Sequence, residues 1–187
     1  MAEMKRGANV ALTREIPGLK GVALSMGWNA GGERVLDENL VFAAILCGPD
    51  GRARDDRDVV FFNQLSSPDE SVQQREQALG GDREQIEVDL SAVPPEIDRI
   101  AVVLYVNDGP AQRRTLGQLR SCVIRVLDAA ENRELVRSEE LARAFSSETA
   151  VALGELYRHE GDWKFRVVGQ GYANGIAGIA ADYGIPL

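Results

Sequence analysis

The chain has 187 residues, 44% of them hydrophobic and 27% charged, with a formal net charge of −8. These proportions belong to a globular protein with a real core and exclude the disordered and collagen-like classes. No apolar run approaches the ~20 residues that span a bilayer, and the acidic balance argues against nucleic-acid binding, which needs a basic footprint. Residues 37–98 hold 15 acidic and 5 basic side chains, against 14 and 16 in the remainder. That middle third is either a cation site or a solvated acidic face, and a solvated face is the reading that composition favours. The N-terminus, MAEMKRGANVALTREIPG, has no apolar signal core, so cytoplasm is the expected compartment. The length predicts one domain over residues 1–187.

In chain order, Asn9 to Arg14 and Lys20 to Trp28 alternate with the strand period and predict an opening hairpin turned at Pro17-Gly18. NAGGERVLDEN is polar and glycine-rich and reads as a loop. Leu40 to Cys47 is continuously apolar, which fits a strand buried on both faces. Asp50-Gly51 turns it, and Asp58 to Asn63 returns as a second strand. Gln64 to Arg83 loses periodicity and reads as a long acidic loop with a short strand at Ser71 to Gln73; loops of this length are often functional. Gln85 to Leu90 alternates again, Pro94-Pro95 breaks it, and Ile97 to Asn107 is β-branched enough for a central strand.

Asn107 to Pro110 forms a turn, Thr115 to Leu119 a helical turn, Ser121 to Asp128 a strand and Glu131 to Leu141 an edge-like strand. Thr149 to Arg158 and Asp162 to Gln170 form a hairpin about Glu160-Gly161. Its second strand carries Trp163, Phe165 and Val167 on a core side and Lys164 and Arg166 on a basic outer side. Tyr172 to Tyr183 has the spacing of a short helix. The expected fold is therefore all-β and mainly antiparallel, a two-sheet β-sandwich of about nine or ten strands with a short C-terminal helix.

Little in the chain matches catalytic chemistry. His159 is the only histidine and ends a strand beside a turn, with no nucleophile motif such as G-x-S-x-G. A zinc site needs four ligands, and Cys47 and Cys122 sit in apolar runs where thiols act as small hydrophobes. Gly169 to Gly175 superficially resembles a dinucleotide loop, but the spacing is one residue too long and a second strand has no room to follow. These glycines read as turn and packing residues. Calcium takes about 6 to 8 oxygen ligands, and Asp37, Glu38, Asn39, Asp69, Glu70, Asp82 and Glu84 are acidic-loop candidates, none at EF-hand spacing.

The terminal stretch from Glu148, ETAVALGELYRHEGDWKFRVVGQGYANGIAGIAADYGI, together with GANVALT, Gly27-Trp28, VVFFNQLSSPDESV from Val59, VDLSAVP from Val88, and LGQL followed by Ile124 to Val126, resembles the TerD family, the tellurium-resistance and stress-response proteins of bacteria. The resemblance covers nearly the whole chain. It implies a β-sandwich that binds calcium through acidic loops and works with partner proteins in a cytoplasmic or membrane-associated stress system, and it brings no well-established catalytic activity. Membrane association would come only through those partners.

The departures fall in the calcium motifs. Where the family has a Phe-Asp-Leu-Asp type sequence, this chain has Glu38-Asn39-Leu40-Val41; the Gly-Asp-Asn portion of the family's long loop is missing from QQREQALGGDRE; and Asn29 follows Trp28 where Asp is usual. The positions left as candidate metal ligands by the resemblance are Asn39, Asp69, Asp82 and Glu84. Valine cannot coordinate a hard cation and an amide brings no charge, so calcium binding is expected to be weak or lost. Two functions follow as expectations: a non-enzymatic stress-response protein acting through partners, or a metal-independent interaction scaffold that uses the acidic middle or the Lys164 and Arg166 face.

Overall fold

The structure, a computed structural model, describes residues 3–78, 81–107 and 113–186. Among these are twelve strands: β1 (Glu3–Met4), β2 (Asn9–Ala11), β3 (Gly21–Asn29), β4 (Leu40–Cys47), β5 (Val59–Val60), β6 (Val72–Gln74), β7 (Glu84–Asp89), β8 (Arg99–Val106), β9 (Ser121–Asp128), β10 (Glu134–Ser138), β11 (Ala150–His159) and β12 (Asp162–Tyr172). The α-helices among the described residues are α1 (Arg34–Glu38) and α2 (Ile176–Tyr183). Sheet I has the order β1-β10-β9-β3-β7-β6 and sheet II the order β2-β12-β11-β8-β4-β5. Every pairing is antiparallel except β1 beside β10.

Strand alternation sets what faces what. In β3, Val22, Leu24, Met26 and Trp28 enter the core between the sheets, opposite Phe42, Leu46, Ile100 and Leu104 of sheet II. Each fully buried side chain of this size contributes about 1.5–3 kcal/mol. The eight residues of β4 are all buried because sheet II has a second core on its outer side. There Val41, Ala43, Ile45 and Cys47 join Ala101, Val103 and Tyr105 of β8 beneath Ile179 and Tyr183 of α2. The helix ends at Gly184 in the left-handed region (φ 71), and the Ile185 amide donates to the Ala180 carbonyl at 2.9 Å.

The sandwich, the central place of β8, the β11–β12 hairpin and the C-terminal helix follow the sequence reading. Four local expectations do not. The predicted opening hairpin is absent: β2 pairs with β12 in sheet II and β3 with β7 and β9 in sheet I, so Pro17-Gly18 lies on a crossing between layers. The stretch read as loop at NAGGERVLDEN contains α1, which buries Leu36. The strand predicted over Asp58 to Asn63 is only β5, with Phe61 bridging back to Gln64 in a tight turn. The strand read as an edge, β10, is covered by β1. The predicted turn over residues 107–110 lies largely outside the described residues. No strand follows α2 among the described residues, and no described helix is long and apolar enough to cross a membrane.

Candidate functional site

The acidic loop between β5 and β7 folds back on itself. The Ser67 amide donates to the Val72 carbonyl and the Gln74 amide to the Leu65 carbonyl, each at 2.8 Å. Asp69 sits in the resulting turn and accepts from the Ser71 amide at 2.8 Å and the Ser67 hydroxyl at 3.0 Å. Partial burial pushes its carboxyl up, but these bonds outweigh it and hold the group below its ordinary range. The turn lies at the Asp89 end of β7, where the Asp89 amide donates to the Ser71 carbonyl. Asp82 and Glu84 lie at the other end, ~17 Å away along an extended strand of this length.

Asp82 and Glu84 also face opposite sides of sheet I. Asp82 turns outward, where its carboxylate accepts from the Ser25 hydroxyl and from Arg125 Nε at 2.9 Å. Glu84 shares the inward parity of Ile86 and Val88 and accepts from Gln74 Nε2 at 2.7 Å. Burial pushes its carboxyl up. Asn39 closes α1, its side-chain amide donating to the Val35 carbonyl at 2.7 Å. Val41 lies in the outer core of sheet II.

Arginines occupy the positions where a cation would neutralise these acids. The guanidinium of Arg125 bridges Asp82 and Glu134, the latter at 3.0 Å, and both Arg125 and Asp82 have side chains only 14% exposed. Arg83 pairs with Asp37 at 2.7 Å and lies over the Trp28 ring, while Trp28 Nε1 donates to the other Asp37 oxygen at 2.8 Å. Partial burial opposes the ionised form of Asp37, yet the Trp28 and Arg83 contacts hold it below its usual value.

From just after β6 in the same segment, Arg75 reaches across the outer face of sheet I. It donates to Gln85 Oε1 at 2.9 Å, Glu87 Oε1 at 2.9 Å and Asn132 Oδ1 at 2.8 Å. Gln85 Nε2 donates to the Ser25 hydroxyl at 2.9 Å, which completes a hydrogen-bonded line from Arg75 through Gln85, Ser25 and Asp82 to Arg125 and Glu134. Both ends of the connection between β6 and β7 are thereby fastened to the sheet.

Calcium takes about 6 to 8 oxygens, and the four expected ligands are not gathered to supply them. Among the described residues no group of three or more His, Cys, Asp or Glu could hold a metal. One local feature points the other way: Gln74 Oε1 is buried beside Glu84 without a hydrogen-bond partner. Two oxygens on that side do not make a calcium shell. Asn39, Asp69, Asp82 and Glu84 therefore do not form a calcium shell together, and Arg125 and Arg83 already serve Asp82 and Asp37.

The remaining candidates are placed as follows. His159 is half-exposed and faces Glu160 at 3.9 Å. Cys47 and Cys122 are free and buried; burial pushes the Cys47 thiol up to about 12 and raises that of Cys122 as well. Arg166, on the basic side of β12, pairs with the buried Glu155 beside Arg99 and so is engaged within the fold. Arg75 and Arg125 escaped the sequence reading. Their signal was a charge inside the apolar run SCVIRVLD and another directly after the short strand of the acidic loop.

The TerD domain family profile matches residues 1–183. Over 186 residues the chain is 40% identical to tellurium resistance protein TerD of Serratia marcescens, covering 97% of this chain and 96% of that protein. It is 38% identical to general stress protein 16U of Bacillus subtilis, covering 98% and 97%. A solved homologue of telluride resistance protein (TerD) from Streptomyces coelicolor superposes with a TM-score of 0.67 at 24% identity, over 87% of this chain and 96% of the other. That likeness supports the fold alone.

Proposed function

Because this chain belongs to the TerD family of tellurium-resistance and stress-response proteins, we propose that it is a non-enzymatic, cytoplasmic stress-response protein that acts through partner proteins and has lost most of its calcium affinity. The observation that carries the first part is near-full-length similarity to proteins named for tellurium resistance and general stress. The calcium part is supported by Arg125 on Asp82 and Arg83 on Asp37. A guanidinium in contact with a carboxylate supplies the charge that a divalent ion would bring, without its dehydration.

Thermal melting in millimolar calcium against chelator tests this. A micromolar site at 100-fold excess would add about 2.7 kcal/mol, which is roughly 5–10 °C for a protein of this size. The expected result is no shift, and a rise of that order would overturn the loss of calcium. The metal-independent scaffold is the second reading, favoured by the same arginine pairs. Partner capture from a stressed-cell lysate separates the two: binding abolished by chelator supports a calcium-linked module, and binding that persists supports the scaffold.

A further inference from the structure

Between the outer face of sheet II and α2 lies a cavity of about 190 Å³. Ala43, Ile45 and Val103 form its floor, Ile176 and Phe61 its sides, and the exposed, acidic Asp56 also lines it. Tyr105 is the one buried polar side chain in this wall. It is 9% exposed and makes no hydrogen bond among the described residues. Its hydroxyl is not one of the sealed polar atoms left without a partner, so it stays within reach of water or of a ligand's hydrogen-bonding group. The volume is below the ~300–1,000 Å³ of drug-sized pockets, yet an apolar cavity of ~150 Å³ suffices for benzene. The occupant that fits is a single ring, with a hydrogen-bonding group for Tyr105 and no negative charge to oppose Asp56.

We propose that this cavity is a binding site for a small, neutral aromatic molecule carrying one hydroxyl-type group, with Tyr105 as the polar contact and the floor of sheet II as the apolar one. The proposal is independent of the calcium reading, since the cavity lies on the opposite sheet from Asp82 and Arg125.

Phenol, benzene and benzoate are the probes, titrated into the methyl-labelled full chain and followed by NMR. Phenol should produce saturable shifts at the methyls of Ala43, Ile45, Val103 and Ile176, and benzoate none. Tyr105→Phe should weaken phenol about fivefold, the net worth of one hydrogen bond, and leave benzene unchanged. Ala43→Leu, which extends a side chain into the cavity, should abolish both while the thermal transition stays cooperative. Absence of saturable shifts with phenol and benzene would overturn the site. Equal phenol affinity in wild type and Tyr105→Phe would overturn the role of the hydroxyl, and that conservative variant decides the matter if Ala43→Leu fails to fold.

Discussion

On sheet II the outward residues Val41, Ala43, Ile45, Ala101 and Val103 are apolar and lie under α2, whereas on sheet I the outward Ser25 and Gln85 are polar and lie in a line of hydrogen bonds anchored by Arg75 and Arg125. Ser25 and Gln85 are nonetheless fully buried. One face is closed by a helix and needs only matching shape. The other is closed by side chains and needs every donor and acceptor to be present, because a buried ionic group left alone is expensive. The two covers should therefore fail differently.

The largest effect should come from the apolar cover. Ile179→Ala removes a fully buried side chain of α2 and should cost about 3 kcal/mol in urea unfolding, at any pH and salt concentration. Arg125→Met should cost about 2 kcal/mol by stranding Asp82 and Glu134. Adding Asp82→Asn should recover part of that loss, and strict additivity of the two would break the assigned coupling.

Acid should distinguish the faces further. Asp37 and Glu134 titrate below their ordinary values of 3.8 and 4.5; burial opposes ionisation in both, but hydrogen bonds to Trp28 and Arg83, and to Arg137 and Arg125, outweigh it. Their stabilisation is present above those ordinary values and is lost as pH falls through the lower folded-state ones. Urea midpoints should drop across that window, and less steeply in Arg125→Met. The smallest effect has the opposite sign. Burial raises Glu84 above 4.5, so stability declines as pH rises from there through the folded-state value. Glu84→Gln should raise the neutral-pH unfolding free energy by roughly half a kcal/mol.

The two faces also differ in how far they could be read from sequence. The unbroken apolar run of β4 announced burial on both sides, and the isoleucine spacing after Tyr172 announced the helix that provides it. Alternation gave each strand its faces but not its neighbours, so adjacent β2 and β3 were paired although they belong to different sheets. The arginine line on sheet I was illegible for the same reason: Ser25, Gln85 and Arg125 meet only through the registers of β3 with β7 and β9. A list of acidic ligands likewise carries no information on facing. Asp82 and Glu84, two residues apart, end on opposite sides of one sheet because the chain bends at Arg83. Helix α1 was hidden by its five-residue length between glycines and a strand.

The two buried thiols give each layer its own clock. Cys47 belongs to the cluster under α2 and Cys122 to the interior between the sheets. Modification of Cys47 by a thiol reagent under native conditions requires the helix to lift from sheet II, and modification of Cys122 requires the sandwich itself to part. Two labelling rates from one unmodified chain thus time the undocking of its cover separately from the opening of its centre.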